Sequence, residues 1–364
     1  MACRINQGSR SFQKAADNLA RAAQVHLSEE LLRQVVEAEG RAVQTAQQSG
    51  VLTLPWTAAD CRLEPEGEGQ GQPAASTSTS TSTSTSTSTS TSVYLGADGV
   101  MVPMFTDSEN KGRRQKVKDK RRRRGKKCRP LARAKAGADQ RYKEFKIVTY
   151  YDQDQEHRHV SVTRGDKSAA GQLMRRDAGR IRLSKADDKV GLFDGADWIK
   201  NQVKRQSLPL DAIGLDFYHL ADNVHKARRA VYGEEDKKDL QAPGNAWAAL
   251  VLHAAKHHGY EALHEELVVW KAKRRGPKQR AAAQRLLDYV EERQGMISYP
   301  EFLARGRHIG SGPTESMCRA TTERLKGVGM RWDADNAEAL MALEALDQSG
   351  EWPLYWKFRL RPVA

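Results

Sequence analysis

The sequence predicts an α/β protein built on a mixed sheet, with a small helical segment ahead of it. Three observations carry this. Two β-rich runs, "YKEFKIVTYYD" and "EHRHVSVTRG", are joined by the polar turn "DQDQE", a hairpin pattern. Short apolar strands then alternate with helices through "KVGLFD", "GADWIKNQVKRQ", "AIGLDF" and "YHLADNVHKARRAVYG". Residues 222–305 turn wholly helical, broken by Gly or Pro, before "GSGPTESMCRATTERLKGVG" opens another helix and "NAEALMALEALDQ" a last one.

Taken in order, residues 11–48 carry two helical patterns. Apolar residues recur at Phe12, Ala15, Ala16, Leu19 and Ala22, one face of a helix. Ser28 is a good N-cap for the second, with Glu29 and Glu30 placed to meet the helix dipole. Such a pair is either a helical hairpin or a helix-turn-helix reader of a major groove. Residues 63–92 read as a linker. Its Glu/Gly/Pro-rich start and strict Ser-Thr alternation from Ser76 to Ser92 cannot bury enough apolar surface to offset ordering entropy. Disorder is expected there, separating 1–62 from the α/β region.

The formal net charge is +14, and it is local. Residues 111–135 hold fifteen Lys and Arg and one acid, Asp119, while the rest of the chain is balanced. A basic loop over 107–138 is expected, with Arg121, Arg122, Arg123, Arg124, Lys126 and Lys127 at its centre. Such a block binds polyanions by releasing counterions, with little sequence preference. It contains no aromatic residue, so it contacts phosphate and does not stack on bases. Cys3, Cys61, Cys128 and Cys318 form no CxxC pair and read as reduced thiols, neither a disulfide frame nor a zinc site. No apolar run approaches the length of a membrane span, and the opening has no signal-like apolar stretch. A cytoplasmic protein is expected.

The stretch "VYLGADGVMVPM" sets one carboxylate, Asp98, inside an apolar run. Asp-Gly between apolar segments is a hairpin signal, whereas an acid ending a strand is a metal-ligand position. Asp194 and Asp216 end apolar runs in the same way, where ligands bind in α/β sheets. Glu315 falls in the first turn of a helix with Gly312 as N-cap and Pro313 next, where it either caps the helix or reaches a ligand. Arg319, Thr322 and Lys326 follow at helical spacing on its face. His219 follows Asp216 in a D-x-x-H unit; His157 and His159 alternate on a strand and are expected to face solvent; His253 and His257 lack the glutamate of a zinc helix.

In order and spacing, "GADGV…GLFDGADWI…LDFYH…GSGPTESMCR…RLKGVGMRW" resembles bacterial insertion-sequence transposases of the DDE class over residues 93 to about 356. The resemblance implies a ribonuclease-H-like mixed sheet with flanking helices and an all-helical insertion before the last catalytic helix. It makes Asp98, Asp194 and Glu315 the catalytic metal ligands and Asp216 and His219 an accessory pair; the residues alone do not choose between Asp194 and Asp216. It implies two Mg²⁺ ions, for which Mn²⁺ could substitute, roughly 3.5–4 Å apart across a scissile phosphate. It also implies double-stranded DNA as partner, a homo-oligomer on DNA and association with the nucleoid, with Arg319 and Lys326 on the DNA backbone. The domains expected are a helical segment 1–62, a linker 63–92, a catalytic domain 93–332 with helical insertion 222–305, and a C-terminal helix and tail 333–364. A second reading, a basic DNA-binding protein that does not cut, needs only the charged block.

Overall fold

The computed structural model describes residues 1–9, 11–63, 90–128, 140–236 and 238–360. Residues 64–89, which include the Ser-Thr tract up to residue 89, and residues 129–139, where the basic block ends, lie outside the described residues. Three helices open the chain: α1 (Ala2–Gln7), α2 (Phe12–Ala23) and α3 (Glu29–Gln48). Ser11 and Ser28 cap α2 and α3, each hydroxyl accepting the backbone N–H three residues on. Strand β1 (Ser92–Pro103) leads into α4 (Asp107–Arg123), then β2 (Tyr142–Tyr151), β3 (Arg158–Thr163) and α5 (Lys167–Arg180). Next come β4 (Asp188–Phe193), α6 (Asp197–Arg205), β5 (Ala212–Leu215) and α7 (Phe217–Tyr232). The remainder is helical: α8 (Pro243–Ala272), α9 (Pro277–Glu291), α10 (Tyr299–Ala304), α11 (Gly312–Glu323), α12 (Ala334–Gln348) and α13 (Trp352–Arg359). Helix α8 kinks at Gly259, whose φ of 81° favours glycine.

Among the described residues five strands form one mixed sheet in the order β3-β2-β1-β4-β5. β2 is antiparallel to both neighbours, while β1, β4 and β5 are parallel. Helices cover both faces, so the strands are apolar on both sides. Val93, Leu95 and Ala97 of β1 join the core made with α5 to α9; Tyr94, Val100 and Val102 join the one made with α2, α3, α11, α12 and α13.

β1 runs unbroken through Asp98, which pairs with Ile147 of β2. The hairpin reading of Asp98-Gly99 is thereby excluded. The basic block is a helix over Asp107–Arg123 where a loop was expected. A capping box between Thr106 and Glu109 starts it, acids sit in its first turn, and Lys120 to Arg123 sit in its last, where the dipole favours them. Segment 333–364 likewise holds two helices, α12 and α13, where one was expected.

Segment 1–62 does not stand apart in space. Leu32, Val36 and Val43 of α3 are fully buried, worth about 1.5–3 kcal/mol each. Gly40 lets α3 meet α12 so closely that a Cβ there would lie 2.9 Å from that of Ala339. Nor does the linker act as a spacer. Its ends meet: Arg62 forms an antiparallel bridge with Thr91, and Leu63 N–H donates to Ser90 O at 2.9 Å. The chain leaves and returns at one neck. Among the described residues, no helix is long and apolar enough to cross a membrane.

His159, expected at the surface, is fully buried because α12 and α5 pack against β3. Its Nδ1 lies 2.8 Å from Glu351 Oε1 and its Nε2 3.4 Å from Asp177 Oδ1. Burial opposes charge on the ring, but the two carboxylates outweigh it and hold the imidazolium up to about 9. His157 lies just before β3 and is half-buried.

The folded state therefore binds a proton at His159 that the unfolded chain releases near 6.5. Its stabilisation is complete below pH 6.5 and fades as pH rises through about 9. We expect His159→Ala to cost about 3–5 kcal/mol at pH 6 by leaving the buried Glu351 carboxylate without its cation, Asp177 keeping Arg176. Urea unfolding from pH 6 to 9.5 checks this: the wild-type chain should lose stability over the range and the variant should lose less. An equal slope in both would refute it.

Candidate active site

The register of the parallel pair levels two acids. Leu95 of β1 pairs with Gly191 of β4, so Asp98 and Asp194, each three residues further on, reach the same height at the carboxyl ends of neighbouring strands. Asp98 stays in β1, half-buried, and its Oδ1 accepts the Gly99 N–H at 2.6 Å. Asp194 follows the last residue of β4; its Oδ1 accepts the Ala196 N–H at 2.8 Å, and Gly195, at φ 83°, turns the chain away.

Helix α11 brings the third acid. It begins at Gly312 with Ser311 as N-cap, one residue earlier than the sequence suggests. Glu315 therefore sits one place deeper than expected, its own N–H making the first helical bond to Ser311 O at 3.0 Å. Its side chain, 55 % exposed, lies 3.8 Å from His219 Nδ1. The helix can approach β1 because residue 96 has no side chain: a Cβ there would strike the hydroxyls of Thr314 and Thr149. Those two hydroxyls, buried and 3.2 Å apart, join α11 to β2.

Asp216 holds this arrangement together. It is fully buried at the end of β5 and caps α7, accepting N–H groups from Tyr218 at 2.6 Å and His219 at 2.9 Å. Its other oxygen accepts the N–H and hydroxyl of Ser311. Burial pushes its carboxyl up, yet the hydrogen bonds from His219 and Ser311 win and hold it at about 2. With both oxygens occupied it is a poor metal ligand, although one ligand atom each from Asp216, His219 and Glu315 falls within 4.8 Å.

Asp98, Asp194, His219, Ser311, Thr314 and Glu315 line one small cleft. Burial, then the charge of Asp194, raises the Asp98 carboxyl against the Gly99 N–H and His219; burial, then Asp216 and Asp98, raises Glu315. His219 is raised by its hydrogen bond to Asp216, then by the surrounding acids. Crowded carboxylates pushed toward protonation attract a cation, and an all-oxygen donor set suits a hard one such as Mg²⁺. Asp98, Asp194 and Glu315 supply carboxylates to this cleft, although among the described residues their ligand atoms, unlike those of Asp216, His219 and Glu315, do not gather within 4.8 Å of one another.

Of the remaining candidates, Arg319 is exposed one turn beyond Glu315. Thr322 is buried, its hydroxyl donating to Cys318 O at 2.9 Å, so it leaves the face assigned to it. Lys326 is exposed but lies past the end of α11. Arg121, Arg122 and Arg123 crowd the last turn of α4, Arg124 caps it, and Lys126 and Lys127 follow, all exposed. One neighbour of the cleft went unread: Lys146 of β2, 4 % exposed, whose charge favours ionised Asp98. Its ammonium lies 2.5 Å from Glu144 Oε1 and 4.4 Å from the Trp198 ring. A lysine inside the apolar run "FKIVTYY" was its signal. No family model matches the chain, and no curated protein sequence matches it.

Gly96→Ala should destabilise the fold by about 1–3 kcal/mol through overpacking. Adding Thr314→Ala, which removes the struck hydroxyl, should recover part of the loss. Denaturant unfolding of the two single variants and the double variant measures the coupling. Strict additivity would show that the approach of α11 to β1 is not the constraint.

Proposed function

We propose that the protein is a DNA transposase of the DDE class, cutting and joining phosphodiester bonds at the ends of an insertion sequence. The observation that carries this reading is the meeting of Asp98, Asp194 and Glu315 in one cleft, from three distant parts of the chain. A ribonuclease-H-like fold goes with it, supported by the order β3-β2-β1-β4-β5 with β2 running against the rest, and by α11 returning to β1 after the helical stretch α7 to α10.

Asp98, Asp194 and Glu315 would hold two Mg²⁺ ions, or Mn²⁺ in their place. When bound, such ions supply Lewis acidity toward the phosphoryl group and lower the pKa of an attacking water or 3′-hydroxyl. The protein's own part is placement. Asp216 fixes the first turn of α11 and with it Glu315. Lys146, and His219 when protonated, temper the repulsion among the acids. Arg319 lies on the exposed side of α11 beside the cleft, placed to meet a phosphate of double-stranded DNA. Helix α4, exposed or half-exposed along its length, adds affinity with little base preference. Cutting a mobile element requires both of its ends, so the working form is a homo-oligomer assembled on DNA at the nucleoid.

Asp98→Ala, Asp194→Ala and Glu315→Ala should each lower Mg²⁺-dependent strand cleavage at least about 100-fold while leaving DNA binding nearly intact. Assays with terminal-repeat DNA and with pre-cut ends measure cleavage and joining. Undiminished cutting by all three variants would overturn the reading. A wild-type chain that binds but never cuts would favour the second reading, a non-catalytic binder, for which the exposed basic α4 speaks.

Replacing Arg121, Arg122, Arg123, Arg124, Lys126 and Lys127 by Gln should weaken binding to all DNA sequences alike. The slope of log affinity against log salt should fall by about 0.9 for each phosphate no longer neutralised. Fluorescence anisotropy from low to high salt checks this, and an unchanged slope would place the DNA elsewhere.

A further inference from the structure

A second cluster of ligand-bearing side chains lies at the neck of the linker. Cys61 follows a single 3₁₀ turn (Ala58–Asp60), Asp152 follows the end of β2, and His157 precedes β3. One ligand atom from each lies within 4.8 Å of the other two. His157 Nδ1 is 2.6 Å from Asp152 Oδ2, and the His157 N–H donates to Asp152 Oδ1 at 3.1 Å. Cys61 and Asp152 are 1 % and 6 % exposed, while the His157 side chain is 28 % exposed and gives a route from solvent. Trp56 packs against the imidazole with ring centroids 5.7 Å apart, and its Nε1–H donates to Arg158 O at 3.1 Å.

We propose that Cys61, Asp152 and His157 form a transition-metal site, suited to Zn²⁺, with a fourth position open to water. A thiolate, an imidazole and a carboxylate are the donor types that zinc takes in tetrahedral sites. The sulfur and nitrogen set it apart from the all-carboxylate cleft, which suits harder ions. Ligand atoms around tetrahedral zinc stand roughly 3.3–3.8 Å apart. The His157–Asp152 hydrogen bond therefore opens by roughly 0.7–1.2 Å, and the thiol turns from the Thr57 carbonyl, 3.7 Å away. The thiol proton passes to solvent as the metal binds, and the ring proton of His157 is carried on Nε2, which leaves Nδ1 of a neutral imidazole free to ligate.

A Cys-His-Asp hydrolase triad uses the same three residue types, but the surroundings are wrong for it. A nucleophilic cysteine needs an electropositive, accessible setting. Here burial, then Asp152 and Asp60, push the thiol up to about 12. The same negative field that disfavours a free thiolate favours a dication beside it. Bound metal would tie the segment ending at Cys61 to the turn of the β2–β3 hairpin, fixing the neck from which the Ser-Thr tract departs.

The test uses the full chain, stripped by chelator and titrated with Co²⁺ in excess Mg²⁺ that saturates hard-oxygen sites. We expect intense tetrahedral visible bands with a sulfur-to-cobalt charge-transfer band in the near ultraviolet, both displaced by Zn²⁺. Cys61→Ser should lose the charge-transfer band, and His157→Ala should weaken Co²⁺ binding at least about 10-fold. Zn²⁺ should raise the unfolding temperature of the wild-type chain and leave that of Cys61→Ser unchanged, with matching circular dichroism of the two stripped proteins showing an intact fold. A wild-type chain without the charge-transfer band, or a band that survives in Cys61→Ser, overturns the proposal.

Discussion

A single carboxylate without exposed surface, Asp216, is the constraint on which the cleft depends. It takes hydrogen bonds from the first turn of α7 and from the residue that starts α11. Two helices far apart in the chain, Phe217–Tyr232 and Gly312–Glu323, are thereby locked to the end of β5. Burying such a group is tolerable only because its acceptors are filled; stripped of its donors it would cost several kcal/mol. The parallel register of β1 and β4 supplies the other half, since it levels Asp98 with Asp194 without any side-chain contact between them. Backbone pairing positions two acids, and a buried polar knot positions the third.

Much of this architecture was legible in the chain because it rests on local signals. The apolar run of β1, the β-rich run of β2, the N-cap at Ser28 and the polar turn before β3 each follow from short-range chemistry. What stayed hidden was tertiary. The start of α11 shifted by one residue because Asp216, distant in sequence, grips Ser311 and makes it the cap. His159 sits on an edge strand, which favours exposure, yet two helices bury it and two carboxylates keep it charged. The basic block suggested a loop because like charges repel; a capping box and a favourable dipole gave it a helix instead. Cys61, Asp152 and His157 have no motif spacing at all and become neighbours only through the fold.

Charge is partitioned in a way that separates holding from reacting. Nine of the block's fifteen basic residues lie on α4, which leaves the sheet directly after the strand carrying Asp98. The cleft itself is acidic, moderated by one imidazole and one buried ammonium. A polyanion drawn to the helix meets, at the sheet end, a site that repels it unless cations intervene. On the proposed function, affinity and chemistry would therefore be lost to different substitutions.

The bridge between Arg62 and Thr91 turns the intervening stretch into an excursion whose two feet stand side by side. Closing such an excursion costs only about 0.6 kcal/mol more for each doubling of its length. The Ser-Thr alternation that fills much of it offers no apolar surface whose burial would fix its length. Anchored at this point, it can grow or shrink over generations while every acid in the cleft keeps its place.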